Sequence, residues 1–132
     1  MRYMLDTNIC IYIINKKADT VLSNLKSHLT EGICISTIVL AELEYGIAKS
    51  MFPEKNKAAL MKMLAVFEIL DFDANAAVEY GLILADLQRK GTPISPMDAL
   101  IAAHAKAAGL TLITNNMREF ERVRNLSLEN WV

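Results

Sequence analysis

Three carboxylates and an amide, Asp6, Glu42, Asp98 and Asn116, stand where a chain builds either helix caps or a metal site. Asp6 ends the apolar run Tyr3-Met4-Leu5 and opens Asp-Thr-Asn, at the carboxyl end of a first strand. In open α/β sheets that rim is where ligands bind. Glu42 lies in the helix after Cys34-Ile35-Ser36, four residues beyond Ile38 and three beyond Val39, and so borders a stripe that should face the core. An unpaired acid there is costly and wants a partner. Asp98 opens the helix announced by Ser95-Pro96, and Asn116 comes just after the strand ending at Thr114. Two carboxylates about 4 Å apart repel by roughly 4 kcal/mol at an effective dielectric near 20. A cluster of them requires a cation or protonation. Oxygen ligands without His or Cys point to Mg²⁺ or Mn²⁺ rather than zinc. Such an ion polarises a phosphoryl oxygen and makes hydroxide from water, which is phosphodiesterase chemistry.

Each of these residues also has an ordinary structural role. Ser95-Pro96-Met97-Asp98 is a good helix start, with Ser95 as N-cap and the Asp98 carboxylate favouring the helix dipole. Asn116-Met117-Arg118-Glu119 is close to a capping box, with Glu119 reaching back to Asn116. Asp6 could cap a helix beginning near Ile9. Thr7 and Thr114 serve equally as ligands or donors to the site's oxygens and as turn or cap residues, and Asn8 is similar. His104 sits among alanines six residues beyond Asp98 and reads as a satisfied imidazole of the core or surface.

The elements that must position these groups alternate. Arg2–Leu5, Ile33–Ile35, Glu68–Leu70 and Leu110–Ile113 read as short buried strands, and Val39–Ser50, Lys55–Phe67, Ala74–Arg89 and Met97–Ala107 carry helical spacing. Alternation predicts an α/β fold with a parallel sheet, which would bring the strand ends to one edge. Pro53 opens one helix, Gly91-Thr92-Pro93 separates two, and Gly109 stops another.

With 132 residues, 53% of them hydrophobic and 22% charged, the chain suits one compact domain over 1–132. No apolar run approaches the roughly 18 residues that cross a bilayer, so no membrane partner and a cytoplasmic location are expected. Cys10 and Cys34 are isolated and read as small buried hydrophobes of a reducing compartment. A net charge of −1 gives no global signature of nucleic-acid binding. Local basic surface remains, with Lys49, Arg89 and Arg118 as candidates for backbone contacts.

The segments Met4-Leu5-Asp6-Thr7-Asn8, Ala41-Glu42-Leu43-Glu44-Tyr45-Gly46, Asp98-Ala99-Leu100-Ile101-Ala102-Ala103-His104 and Leu112-Ile113-Thr114-Asn115-Asn116 with Glu119-Phe120 resemble the PIN-domain ribonucleases. More narrowly, they resemble the VapC-type toxins of bacterial type II toxin-antitoxin pairs. The resemblance runs from Met1 to Trp131. It implies a three-layer α/β/α sandwich with a mainly parallel sheet and a closing edge strand near the carboxyl terminus. It also implies a Mg²⁺-dependent endoribonuclease, with Asp6 and Asp98 as metal ligands and Glu42 holding a metal-bound water or a second ion. Asn116 falls where many relatives carry a fourth acid, and Glu119 is the nearest carboxylate that could compensate. The implied partners are a small VapB-type antitoxin that covers the acidic site, a second copy of the chain, and operator DNA through the antitoxin alone. Ile13, Ile14, Val39 and Leu43 are candidates for the homodimer face. The pattern of residues 114–123 is similar to the branch that cuts initiator tRNA in its anticodon loop. Two rivals are an Asp-based phosphotransfer domain, although Thr7 and Asn8 stand where a second acid would be expected, and a catalytically inactive PIN scaffold, suggested by Asn116.

Overall fold

The structure is a computed structural model that describes residues 1–17 and 19–132. Five strands form one sheet in the order β3-β2-β1-β4-β5, with every neighbouring pair parallel. β1 (Tyr3–Leu5) is central between β2 (Ile33–Ser36) and β4 (Thr111–Ile113), and β3 (Glu68–Leu70) and β5 (Leu128–Glu129) form the edges. The register sets Tyr3 against Ile33 and Thr111, so the three central strands end level with one another. Asp6, Ser36 and Thr114 therefore arrive at one rim, which is the geometric reason that distant acids can share a site.

β1 and β2 are buried throughout, and Met4, Leu5, Ile35 and Leu112 are wholly sealed. Central strands of a parallel sheet are covered on both faces, so they read as unbroken apolar runs. The cover comes from α1 (Thr7–Ile14), α2 (Asp19–His28), α3 (Thr37–Ala48), α4 (Pro53–Leu64), α5 (Ala74–Lys90), α6 (Pro96–Ala107) and the single turn α7 (Met117–Phe120). α1 touches α2, α3 and α4, whereas α5 and α6 make the most extensive helix contact. Buried alanines at 99, 102, 103 and 105 let α6 lie close against its neighbours. The whole is an α/β/α arrangement around the sheet.

Helix ends follow their chemistry. Pro53 stands at the first position of α4, and Ser95 accepts from the Asp98 backbone N–H at the start of α6. Gly91 closes α5 at φ +69°, and Thr92 N–H donates to the Leu87 carbonyl in a Schellman closure.

Three expectations are corrected and one unforeseen helix is added. β3 is an exposed edge strand rather than a buried one, with Ile69 41% accessible. α3 and α4 begin two residues before the hydrophobic spacing does, because Ser36 and Pro53 start them in positions that periodicity does not register. The polar stretch 19–28 forms a helix that the apolar pattern leaves silent, since only Val21 of it is buried. Val39 and Leu43 are core residues and are not available to a homodimer face, while Ile13 and Ile14 stay half-buried. Cys10 and Cys34 are buried free thiols, as expected.

Candidate active site

At the rim, Asp6, Thr7, Asn8, Glu42, Asp98 and Asn116 line one cleft of about 130 Å³, closed at its apolar end by Ile101 and Phe120. Four separate stretches of sequence thus supply one polar wall.

Asp6 is 5% accessible and does two things at once. One carboxylate oxygen accepts the Ile9 N–H at 2.9 Å and caps α1, and the other accepts the Thr114 hydroxyl at 2.5 Å. The capping reading of this residue holds, and the same side chain also lines the cleft. Burial pushes its pKa up, the two hydrogen bonds pull it down, and Glu42 adds a further upward push.

Thr7 reaches across from α1 and donates to Glu42 at 2.6 Å. Its hydroxyl positions the acid on α3, a role that spacing alone could not reveal because the two residues are 35 positions apart. Thr114, fully buried, likewise acts through Asp6, and its oxygen also accepts the Asn116 backbone N–H at 2.9 Å.

Asp98 is half-buried, and its pKa is pushed up to about 7, first by lost solvation, then by the neighbouring Glu119 carboxylate and least by the Glu42 charge, with Ser95 pulling the other way. Glu119 in turn is held below its ordinary value by its proximity to Asp98 and by the Asn116 amide. The capping box expected at Asn116 does not form: its side chain makes no cap hydrogen bond. Its amide instead donates to the Glu119 carboxylate at 2.8 Å. The Asn116 amide thus holds the Glu119 carboxylate one turn further along.

No lysine or arginine forms an ion pair with Asp6, Glu42, Asp98 or Glu119 among the described residues. Asp6, Glu42 and Asp98, which line the cleft, thus have no ion-paired protein cation among the described residues, while Arg122 helps to hold the Glu119 pKa down. Among the described residues, equally, no three acidic, histidine or cysteine side chains are grouped closely enough to hold an ion as they stand.

The expected basic contacts are scattered. Lys49 lies over the Tyr45 ring at 4.8 Å, on the outer side of the helix that carries Glu42. Arg118 is exposed on α7, close in sequence to Asn116 and Glu119. Arg89 lines a different cleft beside Asp86, Lys106 and Arg124, so the structure does not bring it to the acids.

A PIN domain model matches residues 3–126. Ribonuclease VapC2 of Rickettsia felis is 49% identical over 132 residues, covering 99% of this chain and 98% of that protein. The tRNA(fMet)-specific endonuclease VapC of Salmonella typhimurium is 44% identical over 131 residues, with 99% and 98% covered. The fold matches a crystal structure of VapBC2 from Rickettsia felis bound to a promoter DNA fragment at a TM-score of 0.96 and 48% identity, over 100% of each chain. A DNA-bound VapBC structure from Salmonella typhimurium matches at 0.94 and 44%, over 100% of this chain and 99% of that one. Sheet order, rim chemistry and these matches agree, and they leave no place for a phosphotransfer domain. The chain belongs to the PIN-domain family, as a VapC-type member.

Proposed function

We propose that this protein is a Mg²⁺-dependent endoribonuclease toxin that hydrolyses RNA phosphodiesters and is held in check by a VapB-type antitoxin. The observation that carries the reading is the shared cleft of Asp6, Glu42 and Asp98, oxygen-lined and without a protein cation. The donor set fits a hard divalent ion: Asp6 and Asp98 would hold it, with Glu42 and Glu119 beside them. Bound there, such an ion supplies Lewis-acid polarisation of a phosphoryl oxygen and a water acidic enough to act near neutral pH.

The chain's own residues do the rest. Thr114 and the Ile9 N–H fix the Asp6 carboxylate, and Thr7 fixes that of Glu42. Phe120 and Ile101 exclude water from the floor. The proton on Asp98 is released as a cation binds, because positive charge favours the ionised carboxylate. Glu119, aimed by Asn116, supplies the carboxylate that position 116 lacks, which argues against an inactive scaffold.

The substrate in this reading is tRNA, and among tRNAs the initiator species, in keeping with the tRNA(fMet)-specific endonuclease of Salmonella typhimurium that the chain resembles. An anticodon loop suits a recessed site, because unstacked nucleotides can carry a phosphate down to it. Lys49 and Arg118 would contact the RNA backbone, and a second copy of the chain and operator DNA reached through the antitoxin complete the assembly. The protein would act in the cytoplasm; no helix among the described residues is long and apolar enough to cross a membrane.

The test is incubation of total tRNA with antitoxin-free protein. Cleavage in Mg²⁺ or Mn²⁺ that stops in EDTA is the expected result. EDTA-insensitive cleavage would contradict the metal, and no cleavage at all would contradict the enzyme.

A further inference from the structure

Beyond the acidic cleft, the buried polar contact that links two of its helices lies between Ser36 and His104. Ser36 is fully buried at the junction of β2 and α3, and His104 is 4% accessible on α6. Their Oγ and Nδ1 atoms are 2.7 Å apart. The same Oγ accepts the Ile38 N–H at 3.0 Å as the N-cap of α3.

Proton accounting fixes the direction of this contact. A hydroxyl has one proton to give. If Nδ1 carried a proton and donated to Oγ, the Ser36 hydroxyl proton would be left without any acceptor in a fully buried position, at a cost of about 1–3 kcal/mol. If Ser36 donates to a bare Nδ1, both the hydroxyl proton and Nδ1 are satisfied. The imidazole is then neutral, with its proton on Nε2, and it borders a cleft lined by Asp71, Asp73 and Asn75. Burial holds the His104 pKa below its ordinary value against the opposing pull of Asp73 and Asp71. Phe72 packs edge-on against the ring at 5.5 Å, and its own N–H donates to Thr37 Oγ1 at 3.1 Å.

The joint ties the start of α3 to the last turn of α6. α3 carries Glu42 and α6 carries Asp98, two acids of the candidate site. We propose that His104, as the neutral Nε2–H tautomer accepting from Ser36, is a positioning residue that sets the separation of the Glu42 and Asp98 carboxylates. The role rests on the ribonuclease reading for its effect on activity, but the tautomer and the hydrogen bond do not. Groups that orient ligands from behind contribute about 10–100-fold in metal affinity or activity.

The test combines two variants with a spectroscopic readout. His104→Leu fills much of the ring's volume but removes the acceptor, and His104→Asn keeps an oxygen near the place of Nδ1. The expected result is that His104→Leu raises the Mg²⁺ concentration for half-maximal tRNA cleavage and lowers kcat, each about 10-fold. KM for tRNA should stay unchanged, and His104→Asn should recover most of the loss. Equal loss in the two variants, or a loss of thermal stability with Mg²⁺ dependence and kcat intact, would overturn the positioning role. In ¹⁵N-histidine spectra of the wild-type protein at pH 7, His104 should show the neutral Nε2–H pattern. A proton on Nδ1, or an imidazolium, would overturn the assignment whether or not the protein cleaves RNA.

Discussion

Replacing Asp98 by Asn should make the metal-free protein more stable at alkaline pH and remove one component of its pH dependence. Asp98 holds its proton up to about pH 7 in the folded protein, against 3.8 for the free side chain, because half-burial and the Glu119 and Glu42 charges oppose ionisation. The unfolded chain releases that proton near pH 4, so between pH 4 and 7 the folded state binds more protons and stability falls as pH rises. Above about 7 both states are ionised and the loss is complete. From pH 5 to the folded value near 7 the fully expressed change would be about 3 kcal/mol. Half of the carboxyl group meets water, and screening reduces the figure to about 1 kcal/mol. A chain of this length gains roughly 0.28 kcal/mol/K of unfolding entropy, so Tm should shift by about 4 °C. The assay is thermal unfolding in EDTA at pH 5 and pH 8 for the wild type and Asp98→Asn. The difference between the two proteins should be small at pH 5 and about 4 °C in favour of the variant at pH 8. An equal offset at both pH values, or a variant less stable at pH 8, would refute the reasoning and return Asp98 to a helix-start residue.

Other consequences follow from the same contacts. Thr114→Val keeps the shape of the side chain but removes the hydroxyl that serves Asp6 and Asn116; it should cost about 2 kcal/mol and lower Tm by about 7 °C, read by calorimetry at pH 7. Thr7→Val leaves Glu42 without its donor and should reduce tRNA cleavage by about 10-fold while Tm moves by less than about 4 °C, because Thr7 is only half-buried. Gly32→Ala should destabilise by about 2 kcal/mol, since φ is +91° and an added Cβ would stand 2.8 Å from the Met1 backbone; urea midpoints measure it.

Much of the fold could be read directly from the residues, because central parallel strands are buried on both faces. Tyr3-Met4-Leu5, Ile33–Ile35 and Leu112-Ile113 announce themselves as apolar runs, and Pro53, Gly91 and Gly109 punctuate the chain through chemistry specific to their types. The edges resisted. Glu68-Ile69-Leu70 looks like the other strands, yet nothing local says that one flank is open, and Asp19–His28 is too polar to show a buried face. At the candidate site, the convergence of Asp6, Glu42, Asp98 and Asn116 on one cleft was legible from rim positions and family resemblance. Their partners were not: Thr7 with Glu42, Asp98 with Glu119, and Ser36 with His104 are separated by 35, 21 and 68 positions. Only the folded register brings such pairs together. The capping box at Asn116 shows the converse limit, since a correct local pattern lost to a partnership with Thr114 and Glu119 that serves the cleft.

The most direct measurement is isothermal titration of the RNA-free, antitoxin-free protein with Mn²⁺ and Mg²⁺, repeated on Asp6→Asn and Asp98→Asn. The account predicts saturable binding by the wild type, with proton release near pH 6.5 as Asp98 ionises, and at least a 10-fold loss of affinity in each variant. Absence of binding by the wild type, or binding that both variants retain unchanged, would contradict it.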